Sequence, residues 1–280
     1  MTRLYLRTVR VQVDSGSTRS ELDSALDVDF TVRRNLAKAV NESRIRIKNL
    51  GPTTRNAIKA GAATLRLFAG YDTQTPPLLA QGQVVRAITS WNPPDSVTEI
   101  TLGDGATTLS AALSLSYTKG ATVGQLLQEV AQKLGVPLQM DNFNEGESFP
   151  SGFTFSGKAN RGLDQITRRA NARWSLQNGV LFVYGGNFTR APILDLSADT
   201  GLVAVPEELE SNVVSGRVLQ AQNPKRGFRV ESFLLPTLTP GDRINLTSRT
   251  ANGTFYIDEL EHSGGNRQDE MRTRLTLYDR

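Results

Sequence analysis

The chain has no cysteine and a single histidine, His262. The first absence excludes disulfide frameworks, thiolate zinc sites and cysteine nucleophiles together. With one imidazole, the usual nitrogen-and-sulfur metal sites cannot be assembled within one chain either, which leaves only oxygen ligands for a cation. Long apolar runs are also missing. The opening MTRLYLRTVRVQV alternates charged and apolar residues without a signal-peptide core, and no stretch approaches bilayer-spanning length. The expectation is a chain made in the cytoplasm that stays there or leaves by a route needing no signal. Aromatics are 7%, and Lys+Arg 32 against Asp+Glu 28 gives only +4, with no basic run. A nucleic-acid-binding module that interleaves cations with stacking rings is therefore poorly supported. What is present is 280 residues with 38% hydrophobic, enough for two or three folded domains.

The first hundred residues read as strands. LYLRTVRVQV, LDVDFTV and SRIRIKNL alternate at period two, with Ile45 and Ile47 opposite Arg44, Arg46 and Lys48. LDVDFTV and SRIRIKNL pair as a hairpin across RRNLAKAVNE. TTRNAIKAG predicts a short helix capped by Thr53 or Thr54 and ended by Gly61. ATLRLFAGY, LLAQGQVVRAITSW and VTEITLGDG return to strands. The middle differs. ATVGQLLQEVAQKLGVPL puts Leu126, Leu127, Val130, Ala131 and Leu134 on one helical face, with Thr122 as cap and Gly135 as stop. A second helix near 160–171 turns Leu163, Ile166 and Ala170 inward, and Asn178-Gly179 predicts a type I′ hairpin. Residues 106–190 thus read as a small α/β module.

The C-terminal third repeats the first. ATLRLFAGY, GQVVRAITS and VTEITLGDG match DRINLTSRT, GTFYIDELEHS and RTRLTLYDR in order, pairing Ser90 with Ser263 and Thr101 with Thr276. The reading is an internal duplication: two related β-domains, 1–105 and 191–280, flanking the insert. They are expected to superpose as separate units of one topology rather than to share a continuous sheet.

LDVDFTVRRNLAKAVNESRIRIKNLGPTTRNAI, LFAGY with LLAQGQV, and LLPTLTPGDRINLTS with NGTFYIDELEHSGG and MRTRLTLYD resemble the baseplate or tail hub proteins of tailed bacteriophages. The resemblance covers nearly the whole chain and is strongest at its ends. It implies a mainly β fold, with two tube-like β-barrel domains flanking an α+β insert. It also implies a structural virion protein of the tail tip, a homotrimer forming a pseudo-sixfold ring that joins the hexameric tail tube protein to the central spike protein. DNA would pass through its channel, and the tape measure protein and other baseplate proteins would be neighbours. VVSGRVLQAQNPKRGFRVESFLLP passes directly between strands, so the further domain some relatives carry there is absent. Physically, two similar domains per subunit let three copies present six similar faces to one neighbour and three to another.

The chemistry-bearing residues support that reading over its alternatives, a tail-associated cell-wall-degrading enzyme or a nucleic-acid-binding module. His262, with Asp258, Glu259 and Glu261 nearby, is read as a polar strand-to-loop junction. Neighbouring strand residues point to opposite faces, so Glu261 cannot orient His262. His262→Ala is expected to leave the fold and assembly intact. Asp141, Glu145 and Glu147 lie in MDNFNEGESFPSG, which lacks regular calcium-loop spacing and reads as a surface connection. GDGATTLSAALS is not a phosphate loop, since no Gly-Lys-Ser/Thr follows and a strand is expected next. Trp91 and Trp174 read as packing or interface anchors. Arg33 and Arg34, and Arg168 and Arg169, read as a solvated face or subunit contact rather than a DNA-gripping patch. No catalytic residue, cofactor or metal is expected.

Overall fold

Period-two alternation sorts side chains by burial along most of the chain. In ESRIRIK, residues 42–48, Ser43, Ile45 and Ile47 are buried while Arg44, Arg46 and Lys48 are exposed. The computed structural model describes residues 6–16, 18–22, 25–35, 41–60, 63–71, 75–103, 105–185, 193–209, 226–267 and 270–279. Gly61, half of the RRNLAKAVNE turn and all of VVSGRVLQAQNPK lie outside them.

The first unit comprises β1 (Arg7–Ser15), β2 (Thr18–Leu22), β3 (Val28–Asn35), β4 (Glu42–Lys48), α1 (Pro52–Lys59), β5 (Thr64–Tyr71), β6 (Leu78–Asn92) and β7 (Asp95–Gly103). The β3–β4 hairpin forms as expected. The cap of α1 does not: Gly51 is the cap residue and Pro52 opens the helix, with no side-chain cap bond. Proline's fixed φ and missing N–H suit the first helical position, so Pro52 sets the start ahead of either threonine. Val11, Phe30, Ile45, Ile58, Leu65 and Ile100 are among the side chains of this unit's core.

The insert runs α2 (Ala106–Ser110), β8 (Ala112–Tyr117), β9 (Ala121–Thr122), α3 (Val123–Leu134), β10 (Leu138–Asp141), β11 (Ser148–Phe149), β12 (Phe153–Lys158), α4 (Ala159–Arg169), β13 (Arg173–Gln177) and β14 (Val180–Tyr184). Its core is its own, built on Leu126, Leu127, Val130, Leu163, Ile166 and Trp174. Thr122 closes a capping box with Gln125, and Gly135 ends α3 in the left-handed conformation. Asn178 and Gly179 both take positive φ between β13 and β14, the geometry of a type I′ turn. One expectation fails: α2 follows GDG before any strand does, with left-handed Gly105 at its start.

The third unit holds β15 (Ile193–Leu196), β16 (Glu207–Leu209), β17 (Gly227–Phe233), β18 (Arg243–Thr247), β19 (Asn252–Gly265) and β20 (Arg272–Tyr278). Phe228, Val230, Ile244, Leu246, Ile257 and Leu277 build its core. The pairing order of the first unit, β3-β4-β7-β6-β5-β1, recurs as β16-β17-β20-β19-β18-β15. The outermost pair differs, because β1 runs antiparallel to β5 whereas β15 runs parallel to β18. The two long strands even share a defect. A bulge falls between Val84 and Arg86 of β6 and between Ile257 and Glu259 of β19.

The ends nevertheless share one sheet, contrary to expectation. β19 is long enough to be divided: Asn252–Tyr256 pair with β18, and beyond the bulge Glu259–Gly265 pair with β3 of the first unit. Residues 228 positions apart thereby become partners across the sheet. Further bonds cross the same junction. The Tyr71 hydroxyl donates to the Met271 carbonyl at 3.0 Å, and the Asn266 side chain accepts from the Val28 N–H at 3.0 Å and donates to the Leu26 carbonyl at 2.6 Å. Leu234 and Met271 enter the first core.

Candidate functional site

The histidine and the three acidic residues near it in sequence do not form a cluster. β19 continues three residues past His262, so the side chain is fully buried mid-sheet rather than at a strand-to-loop junction. Thr273 Oγ1 lies 2.9 Å from its Nδ1 and also accepts from the Leu235 N–H at 2.9 Å. Nε2 has no hydrogen-bond partner among the described residues. Burial, aided by the nearby Arg34 charge, lowers the imidazole pKa to about 3, so the ring is neutral. Glu261 points to the other face, where Arg33 Nε donates to it at 2.5 Å. That hydrogen bond and charge raise the Arg33 pKa above its ordinary value. The pair is solvated and its worth is small.

The acidic loop is part of the scaffold. The backbone carbonyls of Glu147 and Glu145 accept from the N–H groups of Val123 and Gly124 at 2.9 Å each, satisfying donors that the first turn of α3 leaves open. The Glu147 carboxylate meets Arg169 at 2.8 Å, and Asp141 ends β10. Among the described residues no three His, Asp or Glu side chains converge as a metal site. Trp174 is buried and donates to Asp164 at 3.0 Å; Trp91 is 68% exposed, with the Arg55 guanidinium 5.0 Å above its ring. The arginine pairs also divide. Arg34 is buried, not solvated, and donates to the Leu79 carbonyl and to Asn178 Oδ1, tying the insert's hairpin tip to the first unit. Arg169 donates to the Ser148 carbonyl, and Arg168 lies in the basic last turn of α4.

What the fold does bring together is a continuous charged sheet face. Directly opposed positions run Glu231, Arg274, Glu261 and Arg33 from β17 through β20 and β19 to β3. They continue as Thr31, Arg44, Thr101 and Arg86 from β3 to β6, beside Asp29, Arg46, Glu99 and Ile88. Glu231 meets Arg274 and Arg272 at 3.6 Å each, and Arg274 meets Glu261 at 3.6 Å. The concavity above Arg33, Glu207, Arg229, Glu259 and Glu261 encloses about 540 Å³. Alternating signs across neighbouring strands cancel one another's field, so the face is hydrated without being an anion trap.

A second feature was not picked out from sequence. On the edge of β6 away from β7, β5 covers only Leu78–Gln83. From Val85 to Asn92 no strand pairs there among the described residues, and Val85, Ile88 and Trp91 are exposed. The matching half of β19 is covered by β3. The signal lay in the duplication itself: where one copy reads EHSGG, the other reads ITSWN.

No family model matches the sequence, and no curated protein matches it. Solved structures do. A tail protein from Neisseria meningitidis MC58 matches with TM-score 0.67 at 14% identity over 98% of this chain and 97% of that one. The 43 kDa tail protein of prophage MuSo2 from Shewanella oneidensis matches with TM-score 0.67 at 10% identity over 97% and 100%. The E. coli c3393 protein, a type VI secretion system component with structural similarity to T4 bacteriophage tail proteins, matches with TM-score 0.61 at 15% identity over 95% and 76%. The chain has the mainly β fold of bacteriophage tail proteins, with a small helical insert.

Proposed function

We propose that this chain is a structural hub of a phage-type tail tip, in which three copies close a pseudo-sixfold ring between a hexameric tube and a central spike. The observation that carries it is the strand order that occurs twice in one chain. A subunit with two equivalent units meets a sixfold partner with six similar faces and a threefold partner with three, which a single-unit subunit cannot do. In this reading residues 1–105 and 191–280 are the two tube-like units, joined through the β3–β19 ladder rather than closed separately, and 106–190 is a module on the outside. The face carrying Arg33, Arg44, Glu99 and Glu261 lines the channel. Its interleaved charges let DNA slide past without counterion-releasing contacts on every strand.

The role is non-enzymatic in this reading. Glu147 supports a helix end and an arginine, Glu261 pairs with Arg33, and His262 is neutral and buried, so the polar residues that suggested chemistry maintain the fold. The chain resides in the tail tip of the particle, against tube, spike and other baseplate proteins. Imaging of assembled tail tips tests this: a hub layer of three copies around an open axis is expected, and six copies or one would refute it.

A further inference from the structure

We propose that the half-edge of β6 left open among the described residues pairs antiparallel, through Ile88–Ser90, with β16 (Glu207–Leu209) of a second copy of this chain, reproducing between molecules part of the β19–β3 ladder found within one. The inference rests on the ring reading and specifies its contact.

The register follows from two superpositions of hydrogen-bonded pairs. Placing the bulge of β6 on that of β19 puts Val85 at the position of Asp258, Ile88 at that of Glu261 and Trp91 at that of Gly264. Arg44 and Arg229 both oppose a threonine on one side, and on the other they oppose Thr31 and Glu207. Glu207 therefore occupies the place of Thr31, Pro206 that of Phe30 and Leu209 that of Arg33.

The residues change together under this mapping. Within the chain Arg33 opposes Glu261 as an ion pair; between chains Leu209 would oppose Ile88 as an apolar pair. Within the chain Gly264 opposes the large Phe30; between chains the large ring is Trp91, opposite Pro206. Charge is exchanged for apolar contact at one step, and bulk moves from one strand to the other at the next, so each pair stays complementary. Burial differs most on the β6 side: Gly264 is buried beside β3, while Trp91 at the equivalent position is 68% and Ile88 44% exposed; on the other strand Val205 is 57% exposed, Leu209 half-buried and Pro206 buried. A half-strand of unpaired backbone with apolar side chains is the edge that invites a partner strand. The contact is heterologous, β6 of one copy to β16 of the next, so it propagates around a ring rather than closing a twofold dimer.

The absence of cysteine makes a direct test clean. Opposed residues in an antiparallel pair lie within disulfide reach. A chain with Ile88→Cys is mixed with a chain with Leu209→Cys at high concentration and oxidised, and a covalent heterodimer is expected on a non-reducing gel. Oxidation traps brief encounters, so a weakly associating chain still reports. The chain carrying both substitutions should give a covalent ladder that stops at three. Replacing Ile88→Cys by Ala87→Cys, which faces the other side, should abolish the product. Trimers seen by light scattering without the Ile88–Leu209 link would overturn this pairing and leave the ring reading standing. A ladder stopping at two or at six would uphold the pairing and sink the three-copy ring. No link and no trimer would overturn the pairing outright.

Discussion

At the scale of the residue, His262 and Arg34 do structural work that their polar chemistry conceals. The neutral His262 ring has a pKa of about 3 in the fold against 6.5 when unfolded. Between those values the unfolded chain binds a proton that the folded chain does not, so stability falls as pH drops from about 6.5 toward 3, by about 1 kcal/mol over the first pH unit. Urea titrations at pH 6.5 and 5.5 should show that loss in the native chain and not in His262→Leu; equal slopes would refute it. His262→Ala, expected from sequence to be harmless, instead opens a cavity in a sheet buried on that face and should cost about 2–4 kcal/mol by chemical denaturation. Arg34→Ala leaves the Leu79 carbonyl buried without its donor and frees the hairpin tip at Asn178. A cost of about 1–3 kcal/mol is expected, with faster amide exchange across β13 and β14 as the readout that separates a lost tether from a general loss of stability. Neither role was legible in the sequence, because burial at positions 34 and 262 depends on strands more than 200 residues apart meeting.

At the scale of the element, what the sequence made legible was local. The capping box of α3, its glycine stop and the Asn178-Gly179 turn are each completed within a few residues, so pattern alone specified them. Thr122→Ala should lower stability by about 1 kcal/mol through loss of the bond to the Gln125 N–H, measurable as a fall in the denaturation midpoint. The long strands were recognised, but not their divided allegiance. Alternation identifies a strand's faces and is silent about its edges, and edges decide that β19 serves β18 in its first half and β3 in its second. The bulge at Asp258 is where that change occurs, and its equivalent at Val85 marks the start of the half-edge left open in the first unit. The charged face was half legible. RIRIK and RTRLTLY announce alternating charge, but only the pairing of β3 with β19 joins them into one surface.

At the scale of the whole molecule, the duplication was readable, whereas the union of its two copies in one sheet was not. That union couples them. With the β3–β19 ladder, the Tyr71 and Asn266 bonds, and Leu234 and Met271 in the opposite core, the two β units should unfold in a single transition. Calorimetry should give a van't Hoff enthalpy matching the joint unfolding of both units; two resolved β transitions would refute the coupling. The insert has its own core and can melt separately without bearing on this. The same ladder sets a rule for biosynthesis. β3 leaves the ribosome about 220 residues ahead of its partner on β19, so the first unit waits with one edge bare until that segment is made. A product cut short before residue 259 lacks the ladder and carries an open β3. Until residues 259–265 arrive, the backbone of β3 is an open edge, and a copy lacking them is expected to aggregate or to be cut by proteases more readily than the joined sheet.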